Sequence, residues 1–237
     1  MIPRKAFILA AGKGTRMRPL TDTCPKPMVP VAGRSLIDRT LDSLVREGVT
    51  DITVNLHHLG DVLKNHLNTR QDVHICFSEE SKLLDTGGGI KKALASFGDD
   101  PFFVISGDSL WTDGPGESAL QRLAAAWDSE KMDILLLLQP VDKMLLTKGV
   151  GDYDLKPEGR AVRSLSQTGA YMFTSIRINS PRIFENTGDG AFSYLDLMDR
   201  AQAQGRLYAL VHEGDWHHIS TPQDLAAVNT AFEKNEP

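Results

Sequence analysis

Short apolar runs separated by stretches of helical period set the plan of this chain. Residues 5–10 (KAFILA), 51–56 (DITVNL), 73–77 (VHICF), 101–106 (PFFVIS) and 132–138 (MDILLLL) are apolar segments of strand length. Continuous runs of this kind, without strict alternation, are the mark of strands buried on both faces. Between them the period lengthens. In SLIDRTLDSLVREGV, residues Leu36, Ile37, Thr40, Leu41, Leu44 and Val45 share one helical face, with Ser35 as N-cap and Gly48 as stop. Further helices are predicted over 59–68, 87–97 and 117–128. The alternation predicts an α/β fold, with a mixed, mostly parallel central sheet and helices on both faces.

After about residue 140 the pattern changes. GDYDLKPEGRAVRSLS reads as two strands around a Pro-Glu-Gly-Arg turn, and GAYMFTSI as another strand. A helix over 193–204, the paired strands RLYALVH and DWHHI, and a final helix from Pro222 complete the chain. This second half is expected to be a small β-rich elaboration of one domain spanning 1–237, carrying the side for a second substrate.

Composition narrows the classes. At 237 residues, with 41% apolar and 24% charged residues, the chain can bury a globular core. The run ILLLL at 134–138 is too short to span a bilayer, and the N-terminus has no long apolar region with a cleavage site. Cys24 and Cys76 offer neither a disulfide framework nor metal-ligand spacing, which points to a reducing cytoplasm; Cys76, within a strand pattern, is expected in the core. A net charge of −5 argues against nucleic acid. Its distribution says more: residues 1–34 hold seven basic residues against Asp22 alone, while the remainder carries 19 basic against 30 acidic. A local positive patch on an acidic chain suits a small polyanion held at one place.

In open α/β sheets ligands bind beyond the carboxyl ends of the strands, so the loops there carry the candidate chemistry. The first loop is AAGKGTRMRP. It lacks the Walker pattern, and Met17 stands where a dinucleotide fingerprint needs its third glycine, with Pro19 just beyond. What remains is a nest of glycine-freed N–H groups beside Lys13 and Arg16, suited to a triphosphate. In CPKPMVPVAG, prolines 25, 27 and 30 stiffen the backbone that presents Lys26. In LLDTGGGIKKAL, three glycines run into a helix, whose N-terminal amides would face the strand ends. In ISGD, Asp108 stands at the sheet's carboxyl edge, where a lone carboxylate beside phosphates suits Mg²⁺. His57 and His58 read as polar strand-end residues.

Together LAAGKGTRMRPLT, PKPMVPVAG, LLDTGGG and ISGD resemble the sugar-1-phosphate nucleotidyltransferase family, over nearly the whole chain. The resemblance implies a Rossmann-like nucleotidyltransferase fold, GT-A-like, with a nucleotide-binding part over 1–139 and a sugar-phosphate-binding part over 140–237. It implies transfer of a nucleoside monophosphate from a nucleoside triphosphate to a sugar 1-phosphate, by a monomer or small homo-oligomer with no nucleic-acid or membrane partner. Leu9, Ala10, Ala11 and Gly12 would meet base and ribose, and Lys13, Gly14, Thr15 and Arg16 the triphosphate. Lys26 would meet the α-phosphate, Glu80, Gly87 and Gly88 the nucleoside, and Asp108 the Mg²⁺; Arg16, Lys26 and Asp108 form the catalytic set. Gly151, Asp152, Gly169 and Tyr171 fall where the family lines its sugar-phosphate pocket.

The sequence departs from the family at one place. Where it usually has a second metal-binding aspartate in W-x-D-x-G-T, this chain reads WHHIST, with His218 in the aspartate's position. Hard cations prefer oxygen ligands. Three readings stay open: Asp108 and the phosphates hold the ion, the ion is Mn²⁺ with His218 as a ligand, or the metal site is weakened. A non-catalytic nucleotide-sugar-binding regulator is the rival from another class.

Overall fold

The computed structural model describes residues 2–235. Its elements in chain order are β1 (Lys5–Leu9), β2 (Pro30–Val31), β3 (Arg34–Ser35), α1 (Leu36–Arg46), β4 (Asp51–Leu56), α2 (Gly60–Leu67), β5 (His74–Glu79), α3 (Asp85–Lys92), β6 (Phe102–Ser106), β7 (Leu110–Thr112), α4 (Ala119–Ala126) and β8 (Ile134–Pro140). There follow β9 (Tyr153–Leu155), β10 (Ala161–Arg163), β11 (Tyr171–Asn179), α5 (Tyr194–Ala203), β12 (Leu207–Val211), β13 (Asp215–His217) and α6 (Pro222–Asn235). Strands β6, β1, β4 and β5 lie side by side in parallel. Strand β11 runs antiparallel to β6 along one edge and to β8 along the other, and β12 adds parallel to β8. A register shift lies between Phe173 and Arg177; β6 pairs only with the end of β11, while β9 pairs with its start at Tyr171 and β10 pairs with β9. Bulges redirect strands by adding a residue on one side of a ladder.

Each face of the sheet is sealed by helices whose apolar stripes match their period. On one face Ile37, Leu41 and Leu44 of α1, Leu63 and Leu67 of α2, and Leu120 and Leu123 of α4 are buried against the strands. On the other, Ile90 of α3 and Tyr194, Leu197 and Met198 of α5 close a second core. A third cluster joins distant parts of the chain: Met17, Val29, Val31 and Leu36 pack on Leu110, Ile219, Leu225 and Val228. Helix α6 therefore clamps the proline-rich segment, and the Ala32 N–H donates to Asn229 Oδ1 at 2.9 Å. No helix of the described residues is long and apolar enough to cross a membrane.

Three expectations change. RLYALVH and DWHHI do not pair with each other. β12 takes a five-residue parallel register with β8, burying Leu207 and Ala209, and the three-residue β13 pairs with β7, setting Trp216 opposite Trp111. Cys76 is exposed rather than core, because β5 is the edge strand and only its other face packs, through Ile75 and Phe77. Finally, the glycine triplet lies inside α3, which starts at Asp85 and gives way to a 3₁₀ turn at Leu94–Ser96.

The glycines serve close packing. A Cβ on Gly87 would stand 2.4 Å from the Phe192 ring, one on Gly88 2.1 Å from the Gly190 carbonyl oxygen, and one on Gly89 2.7 Å from Glu80 Oε1. The Gly87 and Gly88 N–H groups both donate to the Phe192 carbonyl, at 3.0 and 3.2 Å. Gly88→Ala should therefore destabilise the fold by about 1–3 kcal/mol, since backbone cannot retreat as a flexible side chain can. A thermal melt indistinguishable from the parent would refute that packing.

Candidate active site

The opening loop is built around Gly14, which sits at φ +59° in the left-handed region where residues with a Cβ are disfavoured. Its carbonyl accepts from the Met17 N–H (2.9 Å) and from Thr21 Oγ1 (2.8 Å), which closes a single 3₁₀ turn over Thr15–Met17. A Cβ on Gly14 would lie 2.9 Å from Thr21 Cγ2 and 3.2 Å from Lys26 Cβ. The turn goes no further, as Pro19 requires, so Thr15 and Arg16 stay exposed at the strand ends. The third 3₁₀ turn of this segment, Lys26–Met28, follows Pro25 and carries Lys26 inward, leaving its side chain 13% exposed.

Asp108 arrives from the neighbouring strand end. The Gly107 N–H donates to the Leu9 carbonyl at 2.8 Å, tying the end of β6 to the end of β1. This sets the Asp108 carboxylate beside the opening loop, where Lys26 Nζ donates to Asp108 Oδ2. Burial by itself would raise the Asp108 carboxyl. The Lys26 charge and the hydrogen bonds from Lys26 and Ser106 outweigh it and hold the group below its ordinary value. The site thus presents an ionised carboxylate already paired with an ammonium.

These groups open on a cavity of about 590 Å³. Of the predicted nucleotide residues, Leu9, Ala10, Ala11, Gly12, Gly14, Thr15, Arg16, Lys26 and Glu80 line it, as does Asp108. Lys13 does not; it is exposed on the outer side of the loop. Gly87 and Gly88 do not either, being buried with their amides taken up by Phe192. The lining that sequence reasoning missed includes Asn55, Leu83, Asp85, Thr86, Ser106 and Ser220. Asn55 carried a signal, as the one amide side chain in the apolar run DITVNL. The others sit on loops whose course is set by the fold.

The four predicted sugar-phosphate residues are gathered together, outside that lining, where β9 and β11 meet. The Gly169 N–H donates to the Gly151 carbonyl at 3.1 Å, and a Cβ on Gly151 would fall 1.7 Å from the Gly169 oxygen, so both glycines permit a close backbone crossing. Asp152 Oδ2 accepts from the Phe173 N–H at 3.1 Å, and burial raises its carboxyl above the ordinary range. Tyr171 pairs with Tyr153 and Pro140.

His218 lies between the two groups. Its backbone N–H donates to the buried Thr147 Oγ1 at 2.9 Å, and its ring packs on Trp216 at 5.6 Å. Burial lowers its basicity, the charges of Lys26 and Arg16 add to that, and Asp108 and Asp224 oppose it. The imidazole is therefore less basic than an ordinary histidine. Beyond it, Asp224 Oδ2 accepts from the Ser220 and Thr221 N–H groups at 3.0 and 2.8 Å, capping α6 and fixing the STP turn. Among the described residues no group of three His, Cys, Asp or Glu side chains is placed to hold a metal ion. The oxygen chemistry of Asp108, which lines the cavity, fits an ion that takes its remaining ligands from a substrate.

Comparison with known proteins places this geometry. The model of the family described as nucleotidyl transferase matches residues 5–235. The N-acetylmuramate alpha-1-phosphate uridylyltransferase of Caulobacter vibrioides is 40% identical over 227 residues, covering 93% of each chain. The protein of the same name from Neisseria meningitidis serogroup B is 34% identical over 221 residues, covering 92% of this chain and 93% of that one. Among solved structures, a UDP-glucose pyrophosphorylase complexed with UDP-glucose superimposes over all of both chains with a TM-score of 0.80 at 20% identity, a likeness of fold.

Proposed function

We propose, from the premise that this chain belongs to the nucleotidyl transferase family, that it transfers the uridylyl group of UTP to N-acetylmuramate α-1-phosphate, giving UDP-N-acetylmuramate and pyrophosphate. The observation that carries the reading is the meeting of Arg16, Lys26 and Asp108 at one cavity, in a chain related over nearly its full length to two uridylyltransferases. The product suits recycling of a cell-wall sugar in the cytoplasm, a compartment in which the free thiols of Cys24 and Cys76 are at home.

The chemistry follows from charge. An oxygen of the sugar phosphate attacks the α-phosphorus in line, and pyrophosphate leaves from the opposite side. Both reactants are anions, so the protein's task is to hold them together against their repulsion. The Gly14–Arg16 turn offers N–H groups and a guanidinium to the triphosphate, and Lys26, packed beside Gly14, would add its ammonium at the α-phosphate. The attacking phosphate is already ionised, so no side-chain base is required. Mg²⁺, with Mn²⁺ as the alternative, would be held by Asp108 and phosphate oxygens and would neutralise charge as it builds on the phosphoryl group. His218, its basicity lowered by burial, stands within electrostatic reach of Asp152 on one side and of Lys26 and Asp108 on the other. His218→Asp should accordingly retain turnover while lowering the Mg²⁺ needed for half-maximal rate several-fold, because it adds an oxygen ligand. A raised Mg²⁺ requirement would show that the imidazole itself is a ligand.

The deciding experiment is a pyrophosphate-release screen. Four nucleoside triphosphates are tested against N-acetylmuramate, mannose and glucose 1-phosphates, in Mg²⁺ and in Mn²⁺. UTP with N-acetylmuramate 1-phosphate should give the highest kcat/KM. Highest release from GTP with mannose 1-phosphate would reassign the specificity, and nucleotide binding without release under any condition would make the protein a non-catalytic regulator.

A further inference from the structure

The buried polar chain under the cavity has one consistent set of donors and acceptors. At one end the Ala10 N–H donates to Asn55 Oδ1 at 2.7 Å. At the other the Leu84 N–H donates to Glu80 Oε2 at 2.9 Å. Between them Asn55 Nδ2 donates to Glu80 Oε1 at 2.8 Å. Backbone amides can only donate, so both ends of the chain are donors. Asn55 must turn its oxygen to Ala10, which leaves its NH₂ for Glu80. Glu80 then meets a donor at each oxygen and has to accept at both, as a carboxylate does and a glutamine cannot.

The surroundings hold this arrangement in place. Asn55 is 2% exposed and Glu80 5%, yet both line the cavity. The Glu80 backbone is tied by its N–H to the Leu56 carbonyl at 2.8 Å, and its carbonyl accepts from His57 Nδ1 at 2.8 Å. Helix α3 lies directly on the pair: a Cβ on Gly89 would be 2.7 Å from Glu80 Oε1 and 2.9 Å from Asn55 Nδ2. Each Glu80 oxygen has a lone pair left after these bonds, and a lone pair is all it can offer a ligand.

We propose that Asn55 is a positioning residue that fixes Glu80 as an acceptor-only wall of the nucleoside end. Through it the site takes nucleotides whose base carries a ring N–H on its pairing edge (uracil, thymine, guanine) and rejects cytosine and adenine, whose matching ring nitrogen is a lone pair. This rests on the nucleotide-binding reading above. A ring N–H completes the carboxylate's hydrogen bonding. A ring lone pair at that place would face oxygen lone pairs, and the neighbouring exocyclic amine reaches the carboxylate only if the base shifts along the wall from the position that the ring N–H defines.

The test reverses the polarity of the pair. UTP and CTP are titrated calorimetrically, with Mg²⁺ and no sugar phosphate, into the wild type, Asn55→Asp, Glu80→Gln and the double variant, with thermal melts in parallel. The wild type should prefer UTP by on the order of 100-fold or more. Asn55→Asp opposes two acceptors and Glu80→Gln opposes two donors, so each should weaken UTP binding at least about tenfold and reduce the UTP-to-CTP ratio. In the double variant the introduced carboxylate accepts from Ala10 and from the introduced amide, whose oxygen accepts from Leu84. UTP affinity should return to within about threefold to tenfold of wild type, a strongly non-additive result. If a single variant does not fold, recovery of a cooperative melt in the double supports the pairing, and a double that also fails to fold overturns it. Additive losses, or UTP and CTP weakened in parallel with their ratio unchanged, would leave Asn55 a structural residue only. A wild type that binds no triphosphate would overturn the nucleotide reading itself, which sets that failure apart.

Discussion

Lys26→Ala should cut uridylyl transfer by on the order of 10²–10³-fold, with most of the loss in kcat. Lys26 brings its ammonium to the cavity on a turn held rigid by prolines and by the α6 cluster, so little conformational freedom is lost when it meets a phosphate. Its side-chain partner is Asp108. On the proposed reading Lys26 also meets the α-phosphate during transfer. Removing it does more than delete a cation. The Asp108 carboxyl loses the charge that offsets its burial and moves upward, so the low-pH limb of the rate profile should shift to higher pH in the variant. Single-turnover pyrophosphate release, measured from pH 5 to 9, reads both effects. Lys26→Arg should recover only part of the rate, since a planar guanidinium does not fit the place of a compact ammonium. Wild-type turnover in Lys26→Ala would sink the assignment of the site.

Asp108→Asn is expected to lower the rate by a similar factor, on the order of 10²–10³, and for a different reason. The amide keeps the size and can still accept a hydrogen bond, but it removes the negative charge that the cavity offers to a cation. The loss should fall mainly on metal: the Mg²⁺ needed for half-maximal rate should rise at least about tenfold, and UTP binding measured without metal should change little. Because Lys26 and Asp108 touch, the double variant Lys26→Ala, Asp108→Asn should lose less than the product of the single losses. Losses that multiply would mean that the pair seen here has no part in the working site.

How much of this was legible beforehand can be judged element by element. The buried runs at 5–10, 51–56 and 101–106 gave their strands within a residue or two, because a strand covered on both faces has to be apolar throughout. The opening loop was legible because Pro19 forbids a helix there, and the left-handed Gly14 bears that out. The glycine triplet was legible only as two rival readings, ligand access and close packing, and Phe192 and Gly190, a hundred residues away, supply the packing. The partners of RLYALVH and DWHHI were beyond reach for a similar reason, since strand pairing is settled by competition among distant segments.

By itself, the sequence determined the alternation of buried strands and helices, the stop in the first loop, and the charged candidates of the site, Arg16, Lys26 and Asp108. Those follow from local sterics and charge, which a chain carries wherever it is folded. Only the tertiary structure decided that Lys26 and Asp108 touch, that the triplet packs against the loop at Gly190 and Phe192, and that Asn55 donates to Glu80. Each of these depends on which side chains from far along the chain share one buried volume, where every donor must find an acceptor and every atom its own space.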